Sequence, residues 1–337
     1  LSQAAYLVNK EAKGAFVYAQ LKEFAERSQG ALRAALTQRG VAYQAFLSVN
    51  MIYLPTADLA LVNELAMRDD VRLLTLDAPF GVDPIEQVTQ PADAPEAISS
   101  GVNYIRAPQV WALGIDGTGI VVAGGDTGVR WTHEALKPQY RGWNGVTADH
   151  TYSWHDSIHD GGANSCGLNV TAPCDDYFHG SHTIGSVDGD DHSATPATRD
   201  QIGVAPGAKW IACRNMNAGV GTISRYVECN DFFLAPGGDA AMQPDVVNNS
   251  WGCSVAEGCD TSAWMQIRPS IQALNAAGVM FVASAGNDGG QGCGSINDPP
   301  AVYAESLSVG NFYDVTGVIA GSSSRGLRDY TNLFGPD

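Results

Sequence analysis

Beyond about residue 100 the sequence predicts an α/β fold, a doubly wound and mostly parallel sheet, with a small α+β domain ahead of it. Two observations carry this reading. Short apolar segments at 119–124, 210–214, 246–250, 278–284 and 306–309 alternate with helix-patterned stretches at 180–189, 222–234 and 261–277, the rhythm of strands joined by crossover helices. Residues 1–82 differ in texture: they are rich in Ala and Leu, and all seven cysteines lie later.

In the first domain, apolar residues recur at helical spacing from 11 to about 36 (Phe16, Ala19, Leu21, Phe24, Ala25, Leu32, Ala35, Leu36). One or two helices are predicted there, ended by Gln38-Arg39-Gly40. Residues 42–54 read as a strand, or as a hairpin broken at Val49-Asn50, then a short helix over 58–67 and a second strand over 71–76. Residues 83–100 carry Pro84, Pro91 and Pro95 without periodicity. They read as an exposed linker with room for a processing site.

The chain has 337 residues, 45% of them hydrophobic and 16% charged, enough to bury a substantial core. A net charge of −17 argues against nucleic acid and against anionic membrane surfaces as partners. No apolar run approaches the roughly 20 residues that span a bilayer. The cysteines are Cys166, Cys174, Cys213, Cys229, Cys253, Cys259 and Cys293. None forms a Cys-x-x-Cys pattern, and Cys166/Cys174 and Cys253/Cys259 have the spacing of loop staples. Disulfides in an oxidising compartment are the expectation, with one thiol left over.

Three short motifs carry the chemistry: Asp126-Thr127-Gly128, His179-Gly180-Ser181-His182 and Ser284-Ala285-Gly286-Asn287. A carboxylate at a strand end can orient an imidazole and stabilise its cation, the imidazole can move a proton, and a side-chain amide can donate to an oxyanion. Asp, then His, then a nucleophilic Ser is one of the chain orders in which this triad occurs. Taken alone, Asp126 is an ordinary loop-initiating residue and Asn287-Asp288-Gly289 an ordinary turn. The stretch from His155 through His159, Cys166, Cys174, Asp175, Asp176, His179 and His182 is rich in metal ligands. It contains no His-Glu-x-x-His or comparable set, and no metal site is expected.

Together these segments resemble the subtilisin-like serine peptidases, most closely the bacillopeptidase F type. Val121 to Val129 resembles the family's aspartate motif, His179 to Gly185 its His-Gly-Thr-His-Val-x-Gly motif, and Ile202 to Ala208 the strand lead-in that follows. Val247-Asn248-Asn249-Ser250-Trp251-Gly252 is similar to the substrate-binding strand and Ser284 to Asn287 to the oxyanion strand. Ser322-Ser323-Ser324-Arg325-Gly326 resembles the segment that precedes the serine motif. The resemblance covers roughly residues 100–337.

It implies a subtilisin-like catalytic domain over 101–337, lacking its C-terminal part, behind an inhibitory propeptide over 1–82 whose first strand is missing. It implies a secreted serine endopeptidase acting on proteins and peptides, with its own propeptide as a partner. Asp126, His179 and Asn287 are its catalytic residues, and His182 a buried helix residue. Gly221, Ser250, Trp251, Gly252, Ser284, Ala285 and Gly286 line the substrate; Trp251 stands where the family commonly has an aliphatic residue. No cofactor is required for catalysis; structural calcium is implied by resemblance, without assignable ligands. The family's Gly-Thr-Ser-Met-Ala string does not occur, and the nucleophile is expected beyond Asp337, leaving this chain inactive alone. The competing readings are a peptide-binding pseudo-peptidase or half of an assembled enzyme, and a metal-dependent hydrolase.

Overall fold

A computed structural model describes residues 1–81, 98–162, 164–195, 199–254, 259, 261–313 and 316–326. The expected linker therefore lies largely outside the described residues, as do 327–337.

α1 (Lys10–Gln38) is one continuous helix. Asn9 caps it by accepting from Ala12 N at 2.9 Å, and Gly40, at φ 68°, turns the chain away. β1 (Gln44–Ala45) and β2 (Ile52–Tyr53) form the hairpin alternative, turning around Val49-Asn50. α2 (Leu59–Ala66) follows, capped by Asp58. The strand expected over 71–76 does not form: residues 71–79 have no regular structure, and Leu76 is 83% exposed. Without clean alternation that run has no single face to bury, and no neighbouring strand accepts it. Its continuation, β3 (Phe80–Gly81), pairs elsewhere.

Ile98 bridges Gln201, and α3 (Ser100–Tyr104) and α4 (Ala107–Trp111) lead into the sheet. Its parallel strands are β4 (Val121–Asp126), β5 (Trp154–Asp156), β6 (Lys209–Arg214), β9 (Val246–Asn249), β10 (Met280–Ser284) and β11 (Ser306–Val309), in the order β11-β10-β9-β4-β6-β5. The chain enters at β4, winds one way to β5 and β6, then reverses to β9. The reversal puts the topological switch beside β4, where ligands gather outside the carboxyl ends of strands. β7 (Met216–Asn217) and β8 (Val220–Gly221) form a small antiparallel sheet with β3.

α6 (Ile223–Leu234) and α7 (Thr261–Ala276) cover one face, packing Phe233, Ile267, Ile271 and Leu274 with Ala123, Val247, Phe281 and Ala283. α5 (His179–Asp188) covers the other, its Ile184 lying against Gly124. Beside α5 that same face stays open among the described residues: Met280, Leu307 and Val309 are each more than half exposed. Parallel sheets are ordinarily covered on both sides.

Residues 1–81 dock along α6 and α7. Ala4 and Val17 join the main core, and Lys10 Nζ meets Asp245 Oδ1 at 2.5 Å. Asp231 on α6 accepts from Leu47 N and Ser48 N at 2.7 and 2.9 Å. Asp77 caps α6 itself, accepting from Ser224 N and Ser224 Oγ at 3.1 and 2.5 Å. Disulfides join Cys166–Cys174, Cys213–Cys229 and Cys253–Cys259, leaving Cys293 free and exposed.

Candidate active site

Asp126 ends β4, almost wholly buried, and His179 opens α5 directly above it. Asp126 Oδ1 accepts from His179 Nδ1 at 2.7 Å and from Thr127 N at 2.7 Å, while Thr183 Oγ1 donates to Oδ2 at 3.4 Å. An ionised carboxylate only accepts, so Nδ1 carries the hydrogen and the ring's free lone pair sits on Nε2, on the edge away from Asp126. Burial pulls the His179 pKa down. The Asp126 hydrogen bond and the charges of Asp126 and Asp175 outweigh it, so the pKa stands above the ordinary histidine value. An oriented imidazole of this kind can accept and return a proton.

Close backbone packing holds the pair. A Cβ on Gly180 would lie 2.0 Å from Gly128 O, so the first turn of α5 can approach the exit of β4 only through glycine. The resulting tightness fixes the histidine's distance from the carboxylate.

Asn287 lies just past β10, exposed, after Gly286 with φ 99°. β9 separates β10 from β4, so at a strand spacing of about 4.8 Å the two strand ends stand about 10 Å apart. In the paired register, Gly124 of β4, Asn248 of β9 and Val282 of β10 are level. Two residues on, Asp126, Ser250 and Ser284 sit at one edge. Ser250 Oγ accepts from Asn248 Nδ2 at 3.1 Å. Ala285 N donates to Val309 O at 2.8 Å, and Gly252 has open space where a side chain would be.

Trp251 does not stand free at that edge. It is buried, stacks on Tyr226 at 3.9 Å and donates from Nε1 to Asn249 Oδ1 at 3.1 Å. Tyr226 in turn stacks on Phe80 at 5.1 Å. Gly221 pairs with Phe80 in the β3–β8 ladder. Phe80, from residues 1–81, therefore covers the ring of Tyr226 on the side away from Trp251.

Three serines that could complete a triad are engaged elsewhere. Ser224 is held by Asp77 and Thr222, Ser323 Oγ accepts from Asn311 N, and Ser324 Oγ accepts from Asp288 N. Among the described residues no hydroxyl bonds to His179 Nε2.

The ligand-rich stretch is dispersed. Cys166 and Cys174 form a disulfide, Asp176 pairs with Arg214, and His155 and His159 direct Nε2 at Glu228 Oε1 from 2.6 and 2.8 Å. Hydrogen bonding to Glu228 pushes His159 up to about 9, and, against its own burial, the two histidines bring Glu228 down to about 2. Among the described residues no group of three or more His, Cys, Asp or Glu is arranged to hold a metal ion. His182 is exposed rather than buried, because α5 turns Gly180, Ile184, Gly185 and Asp188 inward.

No described helix is long and apolar enough to cross a membrane. The Subtilase family matches residues 117–335. Bacillopeptidase F of Bacillus subtilis is 36% identical over 274 residues, 78% of this chain and 17% of that protein. The major intracellular serine protease of Bacillus subtilis is 27% identical over 73% of the chain and 64% of its own length. Subtilisin DY of Bacillus licheniformis is 26% identical over 64% of each. The chain thus spans less than two thirds of each of these relatives. The matched region holds the whole parallel sheet and the Asp126–His179 pair, and on this evidence the chain belongs to the subtilase family.

Proposed function

We propose that this chain is the propeptide and the greater part of the catalytic domain of a secreted serine endopeptidase. The observation that carries the reading is the 2.7 Å Asp126–His179 bond at the carboxyl edge of the sheet. It leaves Nε2 as the one ring nitrogen available for proton transfer.

In the complete enzyme His179 Nε2 takes the proton of a serine hydroxyl as the oxygen attacks the substrate carbonyl. Asp126 keeps the proton on Nδ1 and stabilises the imidazolium. Asn287 donates from its amide to the developing oxyanion, a contact worth about 2.7–4 kcal/mol in the subtilisin asparagine that serves as the general example. His179 then delivers the proton to the leaving amine, and water hydrolyses the acyl-enzyme by the same route reversed.

The serine belongs to a segment outside residues 1–337. The open face beside α5 supports this, since Met280, Leu307 and Val309 lie on the side of the sheet that carries Asp126 and His179. A helix covering that face would both bury those residues and stand next to His179. Residues 1–81 act as the propeptide: Phe80–Gly81 adds as a strand to Val220–Gly221, the way an extended peptide is held by strand addition. Three disulfides suit an oxidising, extracellular setting.

The test is labelling with a serine-directed fluorophosphonate. The chain as given should resist it. A version extended through the family's serine segment should label and hydrolyse casein, and His179→Ala in that version should abolish both. Strong labelling of the 337-residue chain itself would overturn the assignment.

A further inference from the structure

We infer that Asp175, anchored by the Cys166–Cys174 disulfide, is a positioning residue for His179. The inference rests on the reading of His179 as the general base.

Five donors converge on this carboxylate. Its Oδ1 accepts from Thr127 Oγ1 at 2.8 Å, Tyr177 N at 3.0 Å and Phe178 N at 2.9 Å. Its Oδ2 accepts from Ser181 N at 2.9 Å and Ser181 Oγ at 2.6 Å. The contacts run to His179 from both sides. Through Tyr177, Phe178 and Ser181 the carboxylate fixes the two residues before the histidine and the second residue after it. Through Thr127 it grips the neighbour of Asp126, and Thr127 Oγ1 also accepts from Gly180 N at 2.9 Å. Asp126, Thr127, Asp175 and the first turn of α5 therefore close a ring around the Asp126–His179 bond.

Phe178, the residue before the histidine, shows what this ring has to hold. It sits at φ 68°, ψ −18°, left-handed for a bulky side chain, and its ring is 81% exposed. Such a conformation is disfavoured for a bulky residue and persists only where its surroundings fix it. No packing of the phenyl ring compensates. The bonds from Asp175 to Tyr177 N and Phe178 N do.

Asp175 is in turn fixed by its neighbours. Cys174 closes the disulfide with Cys166, and Asp175 bridges Gly128. On its other side Asp176 pairs with Arg214 at 3.2 Å, and Arg214, fully buried, also binds Asp156 through Nε at 2.9 Å and Gly167 O through Nη2 at 2.6 Å. The capping carboxylate thus hangs between a covalent staple and a buried ion-pair network. Of the charged groups near the imidazole, Asp126 comes from β4 and Asp175 from the loop before α5, and both favour the cation.

The readout is the imidazole of His179 by NMR in the whole chain, which needs no nucleophile. Two quantities are followed: the far-downfield Nδ1 proton shared with Asp126, and the ring's titration. Asp175→Asn should lower the protonation constant of His179 about threefold and speed exchange of the Nδ1 proton. Thr127→Val, which removes one link, should speed that exchange while leaving Asp175 charged. The double replacement Cys166→Ser, Cys174→Ser should reproduce the faster exchange without changing any charge. If Asp175→Asn and Thr127→Val lower the melting temperature but leave both NMR quantities unchanged, Asp175 is merely structural and the inference is overturned. Should Asp175→Asn fail to fold, Thr127→Val and the cysteine pair decide by the same readout. If the unsubstituted chain shows no shared Nδ1 proton, it is the general-base reading that fails, which separates the two.

Discussion

Replacing Phe80 with Ala should release β3 from β8 while leaving the rest of residues 1–81 docked. Phe80 is 4% exposed and stacks on Tyr226 at 5.1 Å, with the rings 19° from parallel. Burying a side chain of this size stabilises by about 1.5–3 kcal/mol, and an aromatic pair adds about 0.5–1.5 kcal/mol. Alanine keeps the Cβ contact, and the opened strand retains some shielding, so a net loss of about 2–3 kcal/mol is expected. At about 1.4 kcal/mol per tenfold, local opening becomes about 30- to 150-fold more frequent. Hydrogen exchange under native conditions reads this directly. Amides in the β3–β8 ladder and Ser224 N, which donates to Asp77, should exchange faster by that factor. Amides of α1, anchored separately through Lys10–Asp245 and by Val17 in the main core, should not. Acceleration below about threefold at the ladder would refute the view that the Phe80 stack holds this strand. Equal acceleration in α1 would show instead that the segment docks as one unit.

In the extended, active form, kcat/KM should rise with pH through a midpoint above the ordinary histidine value. Only neutral His179 accepts a proton, and its pKa is raised by Asp126 and Asp175 against the effect of burial. Asp126→Asn should move that midpoint down and reduce kcat by about 10⁴-fold, as loss of the orienting carboxylate does in the general triad. Glu228→Gln should reshape stability against pH in thermal melts. A carboxylate at about 2 contributes stability that is present above pH 4.5 and fades as pH falls toward 2. An imidazole at about 9 contributes stability that is present below pH 6.5 and fades as pH rises through 9. Both arms describe one interaction, so the variant should flatten both together; a variant that keeps the alkaline decline would show that His159 is not held by Glu228. Replacing Cys213 and Cys229 with Ala opens a link of sequence separation 16 between β6 and α6. It should cost about 3 kcal/mol in denaturant unfolding; a loss under about 1 kcal/mol would mean that the surrounding core holds these elements unaided.

The parallel strands were legible because each is a short apolar run ending in small or polar residues, and the five expected segments match β4, β6, β9, β10 and β11 to within about two residues. β5 escaped: Trp154-His155-Asp156 alternates over only three residues, within a stretch of polar loop, too short for any period to show. The pairing of His155 and His159 with Glu228 escaped for a different reason. The partners are 73 and 69 residues apart, and only the parallel alignment of β5 beside β6, with α6 packed behind, brings them together. Residues 71–76 show the opposite error, a composition that favours strand without a partner to complete the ladder. Trp251 was legible as a departure from the family pattern, but its effect was not. It stacks behind Tyr226, so the ring that meets Phe80 belongs to a tyrosine that no motif marked.

The same face-by-face logic bears on where the proposed nucleophile would stand. In β4 the residues alternate strictly: Ala123 packs with the α6 and α7 core, whereas Gly124 meets Ile184 of α5. Asp126, two residues past Gly124, therefore shares the α5 face, and the parallel register carries that face across Asn248 and Val282 to Leu307. Leu307 and Val309, on the edge strand β11, are exposed on a face that parallel sheets ordinarily cover. Two deficits meet at one place, an apolar surface without a cover and a histidine nitrogen without a hydroxyl partner among the described residues. A single amphipathic helix laid over β9, β10 and β11 with a serine at its start would satisfy both. Its apolar side would cover Met280, Leu307 and Val309, while its first turn reached the carboxyl edge where Asp126 and Asn287 stand on either side of β9.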